Sequence, residues 1–494
     1  MKKVTIIGAG ISSLSSAAFL AKEGYDVTIL EKNQTIGGRA RQFSDQGFVF
    51  DMGPSWYWMP DVFEQFYNKF GYTTSDFYEL KRLDPSYRIF WKDNSQSDIP
   101  ASEKELFQWF EELEPGSSKK LKSFLAEAKY KYEVGMQDLV YKPSLKLTEF
   151  ADMRILKGLF KLHLLSSFSK YIRTYFKNEK ILSLLEFPVL FLGATPEETP
   201  ALYSLMNYAD ISLGTWYPMG GMHKFIEAFE RIAREQGVRI LTGQEVSGIQ
   251  YEKERLTHVI TNGNMIDTDV LVSGADYQHT DKSIMNGKAN YSDKYWDKRT
   301  MAPSCLLYYV GVNKRIDNLL HHNLFFDEEF GLHAQEIYKD PKWPTAPLFY
   351  VSAPSKTDAS VAPEGHENLF LLIPIAPDLK DEESIREEYF QLLMDRLEAK
   401  TGQKIREHIV YKRSYCISDF KKDYHAFKGN AYGLANTLRQ TAILKPSLKN
   451  KNLDNVYYTG QLTVPGPGVP PSIISGEVVA REVMKNHPLA VTFK

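Results

Sequence analysis

The residues of this chain that could do chemistry begin at its eighth position. Gly8-Ala9-Gly10-Ile11-Ser12-Ser13 has the spacing of a phosphate-binding turn, and Glu31 follows where a carboxylate can accept hydrogen bonds from an adenosine ribose. Gly8 allows the tight turn, and Gly10 lets bare backbone approach a pyrophosphate. The third small position sets how closely helix packs on strand; Ser13 there predicts a slightly wider contact and an intact site. A carboxylate at position 31 disfavours a 2′-phosphate. Just beyond lies Thr35-Ile36-Gly37-Gly38-Arg39-Ala40, a double glycine and an arginine that together suit a diphosphate. Gly53-Pro54-Ser55 closes a strand with a turn that reads equally as a backbone approach to a flat ligand or as a simple hairpin exit. Near the other end, Gly460-Gln461 and Pro465-Gly466-Pro467-Gly468-Val469-Pro470-Pro471 precede a helix. The N-terminus of that helix makes a second anion or carbonyl site.

The elements that must position these residues are legible around them. Val4–Ile7 is an apolar, β-branched run of the buried parallel type. A helical pattern follows from Leu14 to Glu23, with Leu14, Ala17, Ala18 and Ala21 on one face and Gly24 as its stop. Asp26–Leu30 is the second strand of this βαβ opening. Downstream, the pattern predicts a helix over His223–Gln236, a strand over Val238–Leu241 and an antiparallel meander over Glu245–Tyr251, Leu256–Thr261 and Asn264–Asp267. A buried strand over Asp269–Ser273 follows. Residues 301–415 alternate strands with one helix near Ile385–Lys400, and Asn455–Tyr458 is a strand before a helix from about Ser472 to Met484.

The 494 residues suffice for two or three domains, and a net charge of −2 gives no electrostatic case for nucleic acid. The two cysteines, Cys305 and Cys416, make no metal spacing or disulfide framework, which suits a reducing cytoplasm. His321-His322 and His333 come nearest to a histidine cluster and read as a solvated loop. The glycines and serines after Met1-Lys2-Lys3 argue against a signal peptide, and no apolar run reaches membrane-spanning length. Aromatic residues make up 13% of the chain, which suggests a large apolar cavity or interface. Arg154–Lys177 holds six Lys/Arg, no Asp or Glu, and many interleaved apolar residues. It reads equally as a membrane-interface helix or as a helix packed on the core with a lysine-rich outer face. Glu186–Gly193 is apolar and proline-broken, a channel wall or core. No Ser-His-Asp or Cys-His arrangement is present. Glu186 and Asp210, beside this apolar segment, are the candidates for a proton acceptor, with a purely structural role as the alternative.

The stretches Val4–Ala40, Phe50–Ser55, Leu185–Pro200, Trp216–Gly221, Val272–Thr280 and Tyr457–Gly476 resemble, in this order, the bacterial-type phytoene desaturase family of carotenoid desaturases. That family is similar to the amine oxidases and the Rab GDP-dissociation inhibitors. The resemblance implies a mixed α/β fold: a Rossmann-like FAD-binding domain (1–85, 214–300, 416–494), a mixed-sheet substrate domain (86–142, 301–415) and a helical, membrane-facing subdomain (143–213). It implies FAD as cofactor and an acyclic carotenoid as substrate, losing a hydride to the flavin and a proton from the neighbouring carbon. Gly8, Gly10 and Ser13 would then face the pyrophosphate, Glu31 the ribose, and Gly38, Arg39 and Ala40 the diphosphate. Val246 would touch the adenine side. Gly53, Pro54 and Ser55, with Gly468, Val469 and Pro470, would flank the isoalloxazine. Gln461, after Gly460, stands where many flavoproteins carry aspartate and would reach the ribityl chain or phosphate without charge. The resemblance also implies peripheral contact of Arg154–Lys177 with the inner face of the cell membrane. The substrate stays open between phytoene and a later, hydroxylated acyclic carotenoid. A carotenoid isomerase or saturase, an amine oxidase and a prenyl-binding chaperone are the alternatives, and the oligomeric state is open.

Overall fold

The computed structural model describes residues 1–150, 166–190, 193–437 and 439–490. Its first sheet grows outward from Lys3–Ile7, which pairs in parallel with Asp26–Leu30 on one side and Val270–Ser273 on the other. Arg239–Leu241 and Val456–Tyr458 complete it, so the order is Val456–Tyr458, Val270–Ser273, Lys3–Ile7, Asp26–Leu30, Arg239–Leu241, all parallel. Val4–Ile7 and all of Val270–Ser273 are buried, which is why these strands read as continuous apolar runs rather than alternations.

The helix Ile11–Lys22 packs against His223–Glu235 and Val469–Asn486. The contact with the last helix is backbone-close. A Cβ on Gly476 would lie 2.3 Å from the Ser12 carbonyl oxygen and 2.7 Å from the Ser15 Cβ, so only glycine fits. Ser15 Oγ donates to Ile473 O at 2.8 Å and ties the two helices together. The C-terminal helix starts at Val469, three residues before its expected start, because Pro470 is tolerated in the first turn. The meander forms as expected from Val246–Glu252, Arg255–Thr261 and Asn264–Asp267.

A seven-stranded mixed sheet runs in the order Ile409–Tyr415, Ser304–Val312, Glu367–Ile375, Phe349–Ser352, His322–Phe326, Tyr87–Trp91, Gln96–Ile99. One pair, His322–Phe326 with Tyr87–Trp91, is parallel; the others are antiparallel. Period-two alternation divides the strand Ser304–Val312 between two cores. Leu306, Tyr308, Val310 and Val312 join Phe390, Leu393 and Leu397 of the helix Glu383–Thr401. Cys305, Leu307 and Tyr309 face Phe48, Phe50 and the rest of the main core.

Two expectations are corrected. His321, His322 and His333 are buried, not in a solvated loop. His322 opens a sheet strand, and His333 accepts from Leu348 N at 3.0 Å through Nδ1 while Nε2 donates to Pro374 O at 2.8 Å. Pro188 does not break the chain there; it lies inside the helix Glu179–Leu190. Asn207 Nδ2 donates to Leu185 O at 2.9 Å, giving a carbonyl near the proline an outside partner. Of the basic stretch, residues 154–165 lie outside the described residues. In its remainder, a short helix Phe168–Ile172 is capped by Ser167. Phe168, Ile172 and Phe176 are fully buried there, with Phe176 against Phe110 and Phe124. Among the described residues, no helix is long and apolar enough to cross a membrane.

Candidate functional site

The Gly8–Gly10 turn is held from three directions. Gly8 N donates to Leu30 O at 2.8 Å, and Gly37 N donates to Ala9 O at 2.8 Å. Ala9 N donates to Glu31 Oε2 at 2.7 Å, while Glu31 Oε1 accepts from Asn33 N at 2.8 Å. The first helix opens at Gly10 without any side-chain cap, so its leading N–H groups are left for a ligand. A Cβ on Gly10 would meet nothing within 4 Å, which marks open space in front of this turn. Gly38 stacks its backbone on the turn: its Cβ would come within 3.3 Å of Gly10 Cα. Gly53 sits against Arg39, since a Cβ there would strike Arg39 O at 2.6 Å. Ala40 is buried, and its carbonyl is met by His223 Nδ1 at 2.9 Å. Gly460 closes the far side, its N–H donating to Ser475 Oγ at 3.0 Å and its Cβ position lying 3.2 Å from Ser12 Oγ. The structure thus brings Gly8, Gly10, Glu31, Gly38, Arg39, Gly53 and Gly460 around one space.

Ser13 departs from expectation. It is fully buried, and the contact it makes is tight rather than wide, because the residue opposite it is Gly274. Its Oγ has no hydrogen-bond partner among the described residues.

Arg39 shows the clearest fit to an anionic group. Its Nη2 donates to Asn430 O at 3.2 Å, its guanidinium lies 5.0 Å from the centre of the Tyr424 ring, and its buried Nε has no partner among the described residues. Burial pulls its pKa below the ordinary guanidinium value. Asp276 is the carboxylate that acts on it, and the partnerless Nε leaves the guanidinium able to meet an anionic ligand. Gln461 Nε2 donates to Asn430 Oδ1 at 3.1 Å, so Arg39 and Gln461 converge on one fully buried asparagine. Sequence reasoning missed Asn430. Its local signal is only a Gly-Asn turn, Gly429-Asn430, with Gly433 four residues on.

At the other end of the site, Val246 lines a cavity of about 270 Å³ with Glu245, Asn262, Gly263 and His279. Gln244 N, one residue before the cavity-lining Glu245, donates to the main-chain oxygen of Glu31 at 2.8 Å. His279 stacks on His425 at 3.9 Å, and His425 Nε2 lies 2.7 Å from Glu245 Oε1. Burial pulls the His279 imidazole down to about 4.

An aromatic wall leaves the site from Ser55. Trp56 stacks on His322 at 4.1 Å, meets Tyr87 edge-on at 5.4 Å and lies 5.4 Å from Phe187. Phe187 continues to Trp58 and Phe326 at 6.1 and 6.0 Å. Asp210 lies one hydrogen bond behind this wall. It is 2% exposed, accepts from Tyr87 Oη at 2.7 Å and from Thr215 Oγ1 at 3.3 Å, and burial pushes its carboxyl up to about 7. Glu186 is engaged elsewhere: Arg173 donates to it across two helical segments, and burial still holds its carboxyl above the usual range. Pro54, Val469 and Pro470 stand at the two turns expected to face a flat ring, and the second turn runs through Gly468, with φ +112°, into the C-terminal helix.

Comparison with known proteins agrees with this geometry. The family described as flavin containing amine oxidoreductase matches residues 11–484. The carotenoid 3,4-desaturase of Haloarcula japonica is 41% identical over 485 residues, covering 98% of both chains. The zeta-carotene-forming phytoene desaturase of Myxococcus xanthus is 30% identical and covers 98% of this chain and 94% of its own. An oxidoreductase structure from Methanosarcina mazei superposes with a TM-score of 0.61 at 18% identity, over 98% of this chain and 100% of that one, and shows the shared fold. The uncapped helix, the open space over Gly10 and the partnerless Nε of Arg39 are compatible with a bound FAD. The chain belongs to the flavin-containing amine oxidoreductase family and, within it, to the FAD-dependent carotenoid desaturases.

Proposed function

We propose that this desaturase acts on a late acyclic C40 carotenoid, introducing a 3,4 double bond, in preference to phytoene. The observation that carries this reading is the 41% identity, end to end, with a carotenoid 3,4-desaturase, against 30% with a phytoene desaturase. Bound FAD supplies the two-electron acceptor for a hydride leaving the polyene chain. The chain's own residues do the rest. Gly8, Gly10, Gly38 and Arg39 hold the diphosphate, Glu31 the ribose, and Val246 borders the adenine. The turns at Gly53–Ser55 and Gly468–Pro470 clamp the ring. The wall from Trp56 to Phe187 offers an apolar track on which a long hydrocarbon lies dry. Asp210, linked to Trp56 through Tyr87, is the carboxylate best placed to accept the departing proton, and above its raised pKa it is a base.

The substrate is a bilayer hydrocarbon, and this supports peripheral membrane contact through Arg154–Lys177, on the inner face of the cell membrane. The strand groupings support the division into an FAD-binding domain (1–85, 214–300, 416–494), a substrate domain (86–142, 301–415) and a helical access subdomain (143–213).

The test is anaerobic. FAD-loaded protein is mixed with liposomes carrying either phytoene or a hydroxylated acyclic carotenoid, and flavin bleaching is followed alongside product absorbance. Bleaching with the hydroxylated carotenoid alone, with a red-shifted product, is the expected result. Bleaching with phytoene moves the enzyme to the first step. No bleaching with either, from protein that holds flavin, favours an isomerase or amine oxidase.

A further inference from the structure

Lys445 is a buried amine with nothing to bind. It is 5% exposed, and its Nζ has no hydrogen-bond partner among the described residues. It sits against the glycine-proline turn before the last helix: a Cβ on Gly466 would lie 3.2 Å from Lys445 Nζ and 3.1 Å from Asn436 Oδ1, which is also unpartnered among the described residues. The placement is anchored, since Thr463 Oγ1, three residues before Gly466, donates to Pro446 O at 2.8 Å. Burial alone lowers the amine to about 7, and no charged group acts on it. An amine buried without an acceptor is unfavourable unless a ligand brings negative charge to it. The same turn leads through Gly468 into the N-terminus of Val469–Asn486, the positive end of that helix. A protonatable amine and the positive end of a helix therefore lie along the turn that leads into Gly468–Pro470.

We propose that Lys445 is the counter-charge for the reduced cofactor, its amine taking up a proton when the bound ring accepts an electron pair. This rests on the reading of Gly468–Pro470, two residues beyond Gly466, as a flavin contact. The balance is simple. A hydride adds two electrons and one hydrogen to the ring and leaves one negative charge there. Lys445 gains one proton from solvent and one positive charge, so the buried site ends with no net change. Its neutral form at rest and its charged form after reduction are both accommodated by the apolar setting, because the ring charge appears only in the second.

The experiment is an anaerobic dithionite titration of the FAD-loaded enzyme from pH 6 to 9, with redox dyes, in the wild type, Lys445→Met and Lys445→Arg. Above about pH 7 the wild-type midpoint potential falls more steeply than that of Lys445→Met by one proton per two electrons, about 30 mV per pH unit. Lys445→Arg keeps a fixed charge, so it has the shallow slope of the methionine variant but a higher potential. Equal slopes in all three proteins, with flavin bound, overturn the role of Lys445 and leave the cofactor assignment standing. If the methionine variant does not fold, a wild-type slope in the arginine variant has the same force. Wild-type protein that binds no FAD overturns the cofactor reading itself.

Discussion

Ser13 Oγ lies 2.0 Å from the point that a Cβ on Gly274 would occupy. The small residue expected on the first helix has in effect moved across the contact to the end of the neighbouring strand. Gly274 N also donates to Ile7 O at 2.9 Å, so the sheet fixes it in place. Gly274→Ala should cost about 1–3 kcal/mol by overpacking and lower bound FAD, because the helix that carries the phosphate-facing N–H groups is pushed away. Ser13→Gly in the same chain should recover most of both. Thermal melts and the flavin absorbance of purified protein check this; failure of the double variant to recover would show that the two residues do not share one contact.

Arg39→Gln removes a charge on which Asp276 acts but whose Nε has no hydrogen-bond partner among the described residues. Its loss should weaken FAD binding by about 1.5–3 kcal/mol, roughly 10- to 150-fold. Arg39→Lys should restore only part, because an ammonium cannot reproduce the fork. Quenching of flavin fluorescence on reconstitution of apoprotein gives both affinities. An unchanged affinity in Arg39→Gln would remove Arg39 from the diphosphate site.

Asn430→Ala takes away the acceptor of Gln461 and Gly433 N and the donor to Phe427 O, and so loosens the loop whose main chain meets Arg39. It should cost about 1–3 kcal/mol of stability and reduce FAD affinity, with Gln461→Ala having the smaller effect. The same reconstitution assay separates them, and a larger effect of Gln461→Ala would make Gln461 the direct contact.

The pH dependence of Asp210 has a definite sign. Its folded pKa stands above the ordinary carboxylate value of 3.8, at about 7. The folded chain therefore holds a proton in this window that the unfolded chain releases. The stability this gives is present at low pH and is lost as pH rises through 7. Asp210→Asn stays neutral throughout, so its melting temperature relative to wild type should climb from pH 5 to pH 8. A constant difference would mean that Asp210 is ionised across the whole range.

Reversing Lys157, Lys161 and Lys170 to glutamate should weaken binding to anionic liposomes by roughly tenfold or more, since each basic residue near such a surface contributes about 1 kcal/mol. Arg173 is left intact because it pairs with Glu186. Unchanged co-sedimentation would assign the basic stretch to the protein's own surface.

What was legible in the sequence and what was not divide along the range of the interaction. Gly8, Gly10, Glu31, Gly38 and Gly53 were readable because each answers a local demand, a turn or a close approach within some fifty residues of chain. The buried strands of the parallel sheet were readable for the same reason. Asn430 was not: it meets Arg39 from 391 positions away and has no pattern of its own. Gly274 and Lys445 are likewise ordinary until folding places Ser13 and Gly466 beside them. His322 was misread because two adjacent histidines look polar, whereas a strand start with Tyr350 Oη 2.6 Å from Nδ1 makes one of them a core residue. Pro188 was misread because the packing that keeps the helix Glu179–Leu190 continuous through it leaves no mark in the local sequence.

The parallel sheet has a consequence for biosynthesis. Its edge strand Val456–Tyr458 and the helix Val469–Asn486, on which the first helix leans, are among the last parts of this sequence to leave the ribosome. At roughly 5–20 residues per second, about 20–90 s separate the emergence of the first helix from that of its partner. Throughout that interval the first helix lacks the partner against which it packs in the folded chain.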